Sequence, residues 1–388
     1  NKYNETRLLF KGLCPSNWEY DNGWYYFHRF YEFQPDLNYR NPLVLLEMSR
    51  ILVFWLSQGI DGFRADAIPF LWKEDGTDCE NLPQTHIIVK FFRAVIDIIR
   101  PGALLLAEAC QPPKEVVKYF GEGDECHAGY HFPLMPRIFI SMALADYQPV
   151  RKVLNPKVTP PIPEICQWIN FLRLHDELTL EMVSPEERHI MNAYYRHDLR
   201  WNFREGEGIS ARLAELFRFD PRKILQAFSI MLTLPGSPVI YYGDEVGKGN
   251  DEEWYEYMKS VSGHPDSRFY VRGPIYWEEV EIALGNPSSF PAKIYTGLQQ
   301  MLKIRRKSKV FGHRAIQWLD DIPCEILAFV RYYQNEKILV VHQLANTTGE
   351  FLWPEFVVAP IDLFTNKPID LHLPLALHPF DFFWIKYS

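Results

Sequence analysis

The stretch "GIDGFRADAIPF", residues 59–70, has the pattern of a short buried strand that finishes in two charges. Side chains alternate along a strand, so Arg64 and Asp66 share one face while Phe63 and Ala65 share the other. The segment "NPLVLLEMSRILVFWLSQG" (41–59) precedes it and predicts a helix that begins after the N-cap Asn41 and stops at Gly59. On this stretch alone, a structural ion pair and a functional pair explain the two charges equally well.

Strands and helices alternate along the next 180 residues. The pattern predicts further helices over 85–100, 134–145 and 222–232, and strands over 60–66, 103–109, 128–133, 168–176 and 237–247. This alternation indicates an α/β protein with a parallel sheet, and the lack of a Gly-rich dinucleotide fingerprint favours a (β/α)8 TIM barrel. From about residue 310, short strands separated by turns predict an antiparallel β-sandwich. We therefore expect an irregular excursion over 1–40, the barrel over 41–309 and a β domain over 310–388.

Three successive predicted strands end in carboxylates, namely Asp66, Glu108 and Asp176. In a parallel barrel the catalytic groups gather at the carboxyl ends of several strands. Retaining glycoside chemistry needs one ionised carboxylate as nucleophile and one protonated carboxyl as acid. Arg64 should lower the pKa of Asp66, whereas the leucines before Glu108 should favour its neutral form. Asp176, preceded by His175, would hold the sugar hydroxyls.

Four motifs in this order resemble the signature regions of the α-amylase family of retaining glycosidases: "QPDLN" (34–38), "GIDGFRADA" (59–67), "LLAEA" (105–109) and "LHDE" (174–177). The resemblance implies that Asp66 is the nucleophile, Glu108 the acid/base and Asp176 the transition-state stabiliser. Arg64 and His175 would bind substrate.

Longer segments, among them "FLRLHDELTLEMVSPEER" (171–188), resemble the trehalose synthase branch of that family. This likeness implies interconversion of maltose and trehalose by intramolecular glucosyl transfer. Arg268, in a segment similar to the acceptor-side loop of the branch, would be a further substrate-binding residue. The alternatives are an α-glucosidase or amylase-like hydrolase and a non-catalytic truncated homologue.

The same resemblance implies that the barrel is incomplete in this sequence. The segment "GIDGFRADA" corresponds to the fourth barrel strand, so strands 4–8 are expected here and the strands before them are not. A closed barrel has no sheet edges, whereas a sheet of five strands would have two exposed edges. Because the chain also begins with Asn1, we expect an N-terminally incomplete sequence.

The amino-acid composition limits the classes of partner that we expect the protein to bind. The formal charge of −8 comes without long basic runs, which argues against nucleic acid. No apolar run approaches the length of a membrane span, and six scattered cysteines suggest reduced thiols. We expect a cytoplasmic enzyme acting on small α-glucosides, with family likeness favouring an assembly of identical chains.

The family resemblance implies no organic cofactor, and it raises the question of calcium. Asp36, in "QPDLN", is the candidate calcium ligand. Lys73 lies where this branch tends to have an acidic group, and a hard cation prefers oxygen ligands to an ammonium.

Overall fold

The computed structural model of the protein describes residues 2–388, and the chain folds as two compact units. The first unit comprises the residues up to 132 together with 156–168. The second comprises 133–155 and 169–388. The predicted domain limits at residues 40 and 309 stay a prediction.

The first unit begins with an antiparallel hairpin and continues as alternating helices and parallel strands. Its elements are β1 (Trp18–Asp21), β2 (Trp24–Phe27), α1 (Pro42–Ser57), β3 (Gly62–Ala65), α2 (Pro83–Ile99), β4 (Leu104–Ala107), α3 (Pro113–Val116) and β5 (Ala128–Tyr130). Strand β4 lies between β3 and β5, and both pairings are parallel. The predicted alternation is confirmed here, although each strand is shorter than predicted.

Local signals set the limits of α1 and the start of β3. The side chain of Asn41 accepts the N–H of Leu43, which satisfies one of the free donors at the helix start. Gly59 follows the helix with a φ of +94°, a conformation that glycine adopts without a Cβ penalty. Gly62 then lies against β4, where an added Cβ would come within 2.5 Å of the Leu104 carbonyl oxygen. Close pairing of β3 with β4 therefore requires glycine at this position.

The core of the first unit lies between this sheet and its helices. Buried side chains of α1, α2 and β4 form one cluster: Leu52, Leu56, Val89, Ile96, Leu105 and Ala107. Both helices thus pack against the same face of the sheet, and the parallel pairing of β3 with β4 brings the residues that follow these strands to the same end of the sheet.

The outer side of α1 and one edge of β3 remain open. Leu43, Leu46 and Phe54 of α1 are 63%, 46% and 55% exposed. Within residues 2–388, no strand other than β4 is hydrogen-bonded to β3. The predicted exposed sheet edge is present at β3.

The second unit contains the remaining elements. They are α4 (Leu134–Leu144), α5 (Gln148–Val153), β6 (Gln167–Phe171, which begins in the first unit), β7 (Leu178–Thr179), α6 (Pro185–Tyr195), β8 (Asn202–Phe203), β9 (Gly208–Ile209), α7 (Leu213–Leu216), α8 (Pro221–Thr233), β10 (Ser237–Val239), α9 (Glu252–Ser262), α10 (Trp277–Leu284), α11 (Phe290–Lys307), β11 (Ile316–Trp318), β12 (Ile326–Tyr333), β13 (Glu336–Gln343), β14 (Gly349–Phe351), β15 (Ile361–Asp362), β16 (Lys367–Pro368), β17 (Leu375–Leu377) and β18 (Phe382–Tyr387).

Strands β6 and β10 pair in parallel, as a barrel requires. The predicted strand over 168–176 is too long, because β6 ends at Phe171. Arg173, instead of continuing the ladder, is buried and donates to the carbonyl oxygens of Ala211 and Asp176, each at 2.7 Å. Asp176 therefore lies in a loop beyond the strand.

The C-terminal part of the second unit is the predicted antiparallel domain. Six strands are ordered β11-β12-β13-β18-β15-β16, and β14 pairs with β17 in a second sheet. Side chains from both sheets form one core: Val330, Leu339, Val341, Phe351, Leu377 and Ile385. Two sheets enclosing a common core make a β-sandwich.

No helix within residues 2–388 combines the length and the apolar character that a membrane span requires.

Candidate active site

In the first unit, Arg64 and Asp66 meet at the end of β3. The Arg64 Nη1 donates to Asp66 Oδ1 at 2.5 Å, and the Asp66 side chain is 71% exposed. Sharing one face of the strand brings the two side chains together, as the alternation predicted. The Asp66 carboxylate is thus oriented by a fixed cation while remaining open to solvent.

Glu108 lies at the end of the neighbouring strand. Its Oε2 accepts the backbone N–H of Ala67 at 2.7 Å, and its own N–H donates to the Ala65 carbonyl oxygen at 3.0 Å. Because β3 and β4 are in parallel register up to Ala65 and Ala107, Asp66 and Glu108 leave the sheet side by side. The parallel pairing therefore brings two of the three predicted carboxylates to the carboxyl end of the sheet.

Arg64 interacts electrostatically with both carboxylates. Burial acts to lower the pKa of its guanidinium, but Glu108 and Asp66 outweigh burial and raise it. The guanidinium carbon also lies 5.9 Å from the ring centre of Tyr130, at the end of β5. Arg64 therefore remains a permanent positive charge between the two acids.

In the second unit, Asp176 is held by three basic side chains. Its Oδ1 accepts from Arg268 Nη1 at 3.1 Å and from Arg272 Nη2 at 2.8 Å. Its Oδ2 lies 3.2 Å from His175 Nε2. The predicted residues His175, Asp176 and Arg268 are therefore brought together, and Arg272 joins them.

Arg268 is itself fixed by Asp266, a residue that the motif analysis did not single out. The Asp266 carboxylate is buried and accepts from Arg268 Nε and Nη2 at 3.0 and 2.7 Å. Burial acts to raise the pKa of Asp266, and the hydrogen bonds from Arg268 outweigh it and hold that pKa below its usual value. The short spacing "DSR" is a signal for this pair, since an aspartate often bonds the backbone two residues on.

Buried charges lie behind Asp176 in the second unit. Arg173 and Arg212 are fully buried, and Arg212 lies 3.5 Å from Asp244. Burial raises the pKa of Asp244 to about 6, against the effect of both arginines. Burial likewise raises the pKa of Glu177, next to Asp176. Sequence reasoning missed this layer because its partners are far apart along the chain.

The residues around Asp36 do not suit calcium. Asp36 Oδ1 accepts the backbone N–H of Arg29 at 3.0 Å, and Oδ2 is paired with the ammonium of Lys73. Calcium takes six to eight oxygen ligands and is repelled by an adjacent cation. Both oxygens of Asp36 are therefore engaged within the protein, and this arrangement does not fit a calcium ligand.

A family model for the catalytic domain of α-amylases matches residues 7–291. This chain belongs to the α-amylase family, whose enzymes need no organic cofactor.

Several relatives are trehalose synthases. The chain is 39% identical to that of Pimelobacter sp., with 99% of this chain and 73% of the relative covered. It is 39% identical to the trehalose synthase/amylase of Mycobacterium tuberculosis, with 95% and 64% covered. It is 46% identical to the corresponding enzyme of Mycolicibacterium smegmatis, with 76% and 48% covered. The chain thus spans less than two thirds of both mycobacterial relatives.

Solved structures share the fold at lower identity. A MutB variant in complex with glucose has a TM-score of 0.72 and 19% identity, with 100% of this chain and 76% of that chain covered. The α-amylase of H. orenii has a TM-score of 0.66 and 20% identity, with 96% and 70% covered. The fold is that of the TIM-barrel glycosidases.

Proposed function

We propose that this protein catalyses retaining α-glucosyl transfer and interconverts maltose and trehalose. The observation that carries the proposal is the arrangement of Arg64, Asp66 and Glu108 at the adjoining ends of β3 and β4. The trehalose synthases at 37–46% identity support the choice of substrates.

In the proposed reaction, an oxygen of Asp66 attacks the anomeric carbon of the non-reducing glucosyl unit of maltose. The bond from that carbon to the bridging oxygen breaks, and Glu108 gives its proton to the departing oxygen. The released glucose turns, and its anomeric hydroxyl attacks the anomeric carbon of the glucosyl ester. The bond from that carbon to Asp66 breaks, and the proton of the hydroxyl passes to Glu108. Asp176 would bind hydroxyls of the sugar, with His175 and Arg268 beside it.

Hydrolysis is the second candidate, and a specific feature favours it. The Asp66 side chain is 71% exposed, so a sugar ester formed on it would be accessible to water. One relative is itself named trehalose synthase/amylase.

Incubation of the purified protein with maltose, followed by chromatographic separation of the sugars, tests the proposal. We expect trehalose to accumulate. Glucose as the sole product would replace the proposal with a hydrolase, and a folded protein that converts none of the maltose would indicate a non-catalytic homologue.

The variant Asp66→Asn keeps the shape of the side chain and removes the nucleophile. We expect maltose conversion to fall on the order of 10⁶-fold, as for loss of the covalent nucleophile of subtilisin. The matched control is Asp61→Asn, since Asp61 is 92% exposed and forms a surface ion pair with Arg100 at 2.6 Å. An exposed pair contributes little, so this variant should retain the wild-type rate. Equal rates for both variants would exclude Asp66 as the nucleophile.

We further propose that the partners are small α-glucosides and that the protein acts in the cytoplasm. The absence of disulfide bonds among the cysteines within residues 2–388 supports a reducing compartment. Assembly of identical chains stays a prediction.

A further inference from the structure

The environment of Asp36 points to an internal cation. Asp36 and Lys73 form an ion pair whose side chains are 13% and 11% exposed. Because the other Asp36 oxygen accepts the N–H of Arg29, both oxygens of this carboxylate are engaged within the protein. A carboxylate this well buried requires a compensating positive charge.

The surroundings are already rich in positive charge. Arg29 is fully buried and pairs with Glu80 at 2.7 Å, and Arg7 pairs with the same carboxylate at 2.7 Å. Two carboxylates thus face three cations. Within residues 2–388, no cluster of three or more histidine, cysteine or acidic side chains could hold a metal. A divalent cation beside Asp36 would be repelled by these positively charged side chains.

The backbone of Lys73 also takes part in a contact with Arg40. Its carbonyl oxygen accepts from Arg40 Nε at 2.9 Å, and the Arg40 guanidinium lies over the ring of Trp72 at 4.8 Å. Residue 73 therefore joins the segment that follows Asp66 to the segment 28–41 through both its ammonium and its main chain.

We propose that the ammonium of Lys73 takes the place that a calcium ion would hold beside Asp36, so that this chain binds no calcium there and its stability is independent of that metal. Burial lowers the pKa of Lys73, and Asp36 opposes this effect. The inference does not depend on the proposed function, because its tests measure stability and calcium binding.

The first test uses the wild-type protein. We expect its Tm, followed by circular dichroism, to agree within about 1 °C in EDTA and in a millimolar excess of CaCl₂. A calcium ion that bound only the native state would raise the Tm, so an equal Tm indicates that none is bound. Titration calorimetry with CaCl₂ should show no saturable heat. A fall in Tm on chelation, or saturable binding that disappears in Asp36→Asn, would overturn the proposal.

The second test measures the coupling between the two charges. We expect Lys73→Met to lower the Tm by several degrees, roughly 5 °C, because it leaves Asp36 buried without its cation. Lys90→Met is the matched control, since Lys90 is 44% exposed in its pair with Asp124 and should shift the Tm by about 1 °C or less.

Adding Asp36→Asn to Lys73→Met should restore part of the lost Tm, because the uncompensated charge is then gone. If the two substitutions instead add independently, or if Lys73→Met is as stable as Lys90→Met, Lys73 is not the compensating cation. The comparison of wild-type protein in EDTA and CaCl₂ stands even if a variant does not fold.

Discussion

At the scale of single residues, Ala67 links the backbone to the candidate chemistry. It directly follows Asp66 and has a φ of +50°, in the left-handed region that residues with a Cβ seldom occupy. In this conformation its N–H points to the Glu108 carboxyl. Strained backbone of this kind persists where the surrounding structure fixes it, and it is common at active sites.

We predict that Ala67→Val destabilises the protein by about 1–3 kcal/mol, because a β-branched side chain tolerates a positive φ poorly. Maltose conversion should fall as well, since the hydrogen bond that orients Glu108 depends on this backbone. The measurements are urea unfolding and sugar analysis. Ala94→Val, on an exposed face of α2, is the control and should cost only about 0.5 kcal/mol. Similar costs for the two variants would mean that Ala67 is not strained.

Asp176 contacts side chains that are distant from it in the sequence. Its place after "FLRLH" predicted a group that binds sugar hydroxyls, and the structure surrounds it with His175, Arg268 and Arg272. The arginines come from positions 92 and 96 residues further along the chain. No local pattern predicts a contact over such a separation.

At the scale of elements, helix α6 is specified by its own sequence. Ser184 accepts the N–H of Glu187 at 3.2 Å, and the Glu187 carboxylate accepts the N–H of Ser184 at 2.8 Å. This reciprocal pair is a capping box, and Pro185 occupies the first helical position. The start of α6 therefore follows from four consecutive residues.

We predict that Ser184→Ala lowers the free energy of unfolding by about 1 kcal/mol, because the N–H of Glu187 loses its acceptor. Denaturant unfolding of wild type and variant measures the change. The control is Ser260→Ala in α9, where the exposed hydroxyl donates to the Tyr257 carbonyl oxygen within its own helix. If Ser260→Ala costs as much as Ser184→Ala, the capping box is not what stabilises α6.

Helix α1 illustrates the limit of reasoning from one element. Its ends were predicted correctly from Asn41 and Gly59, yet its apolar residues lie on every side of the helix. Leu52 and Leu56 are buried, whereas Leu43 and Phe54 are exposed. A helix with apolar residues on every side is typical of a buried position, so its periodicity cannot indicate which face meets the sheet.

At the scale of the whole molecule, two buried histidines contribute to the dependence of stability on pH. His131 in the first unit and His342 in the second are fully buried, and burial lowers the pKa of each to about 3. The unfolded chain takes up these protons near pH 6.5 and the folded chain does not. Between about pH 3 and 6.5, each histidine therefore makes stability fall as the pH falls, by about 1.4 kcal/mol per pH unit.

We predict that His342→Gln makes the free energy of unfolding less dependent on pH between 4 and 6. Its slope against pH should fall by about 1.4 kcal/mol per pH unit, the contribution of one proton. Urea midpoints measured across this range give the slope, so a constant loss of stability in the variant does not affect the comparison. Asp244, whose pKa is raised to about 6, contributes in the opposite sense in both proteins. An unchanged slope would show that His342 is protonated in the folded state.

The sequence by itself determined the alternation of helices and parallel strands, the C-terminal antiparallel strands, and the position of Asp66 and Glu108 at strand ends. These features depend on side-chain alternation, helix caps and glycine turns, which act over a few neighbouring residues. Only the tertiary structure decided that Lys73 pairs with Asp36, that Arg272 joins Asp176, and that β6 stops at Phe171 when Arg173 turns to Ala211. These contacts join distant parts of the chain, and their energy comes from burying charges together, which a local pattern does not record.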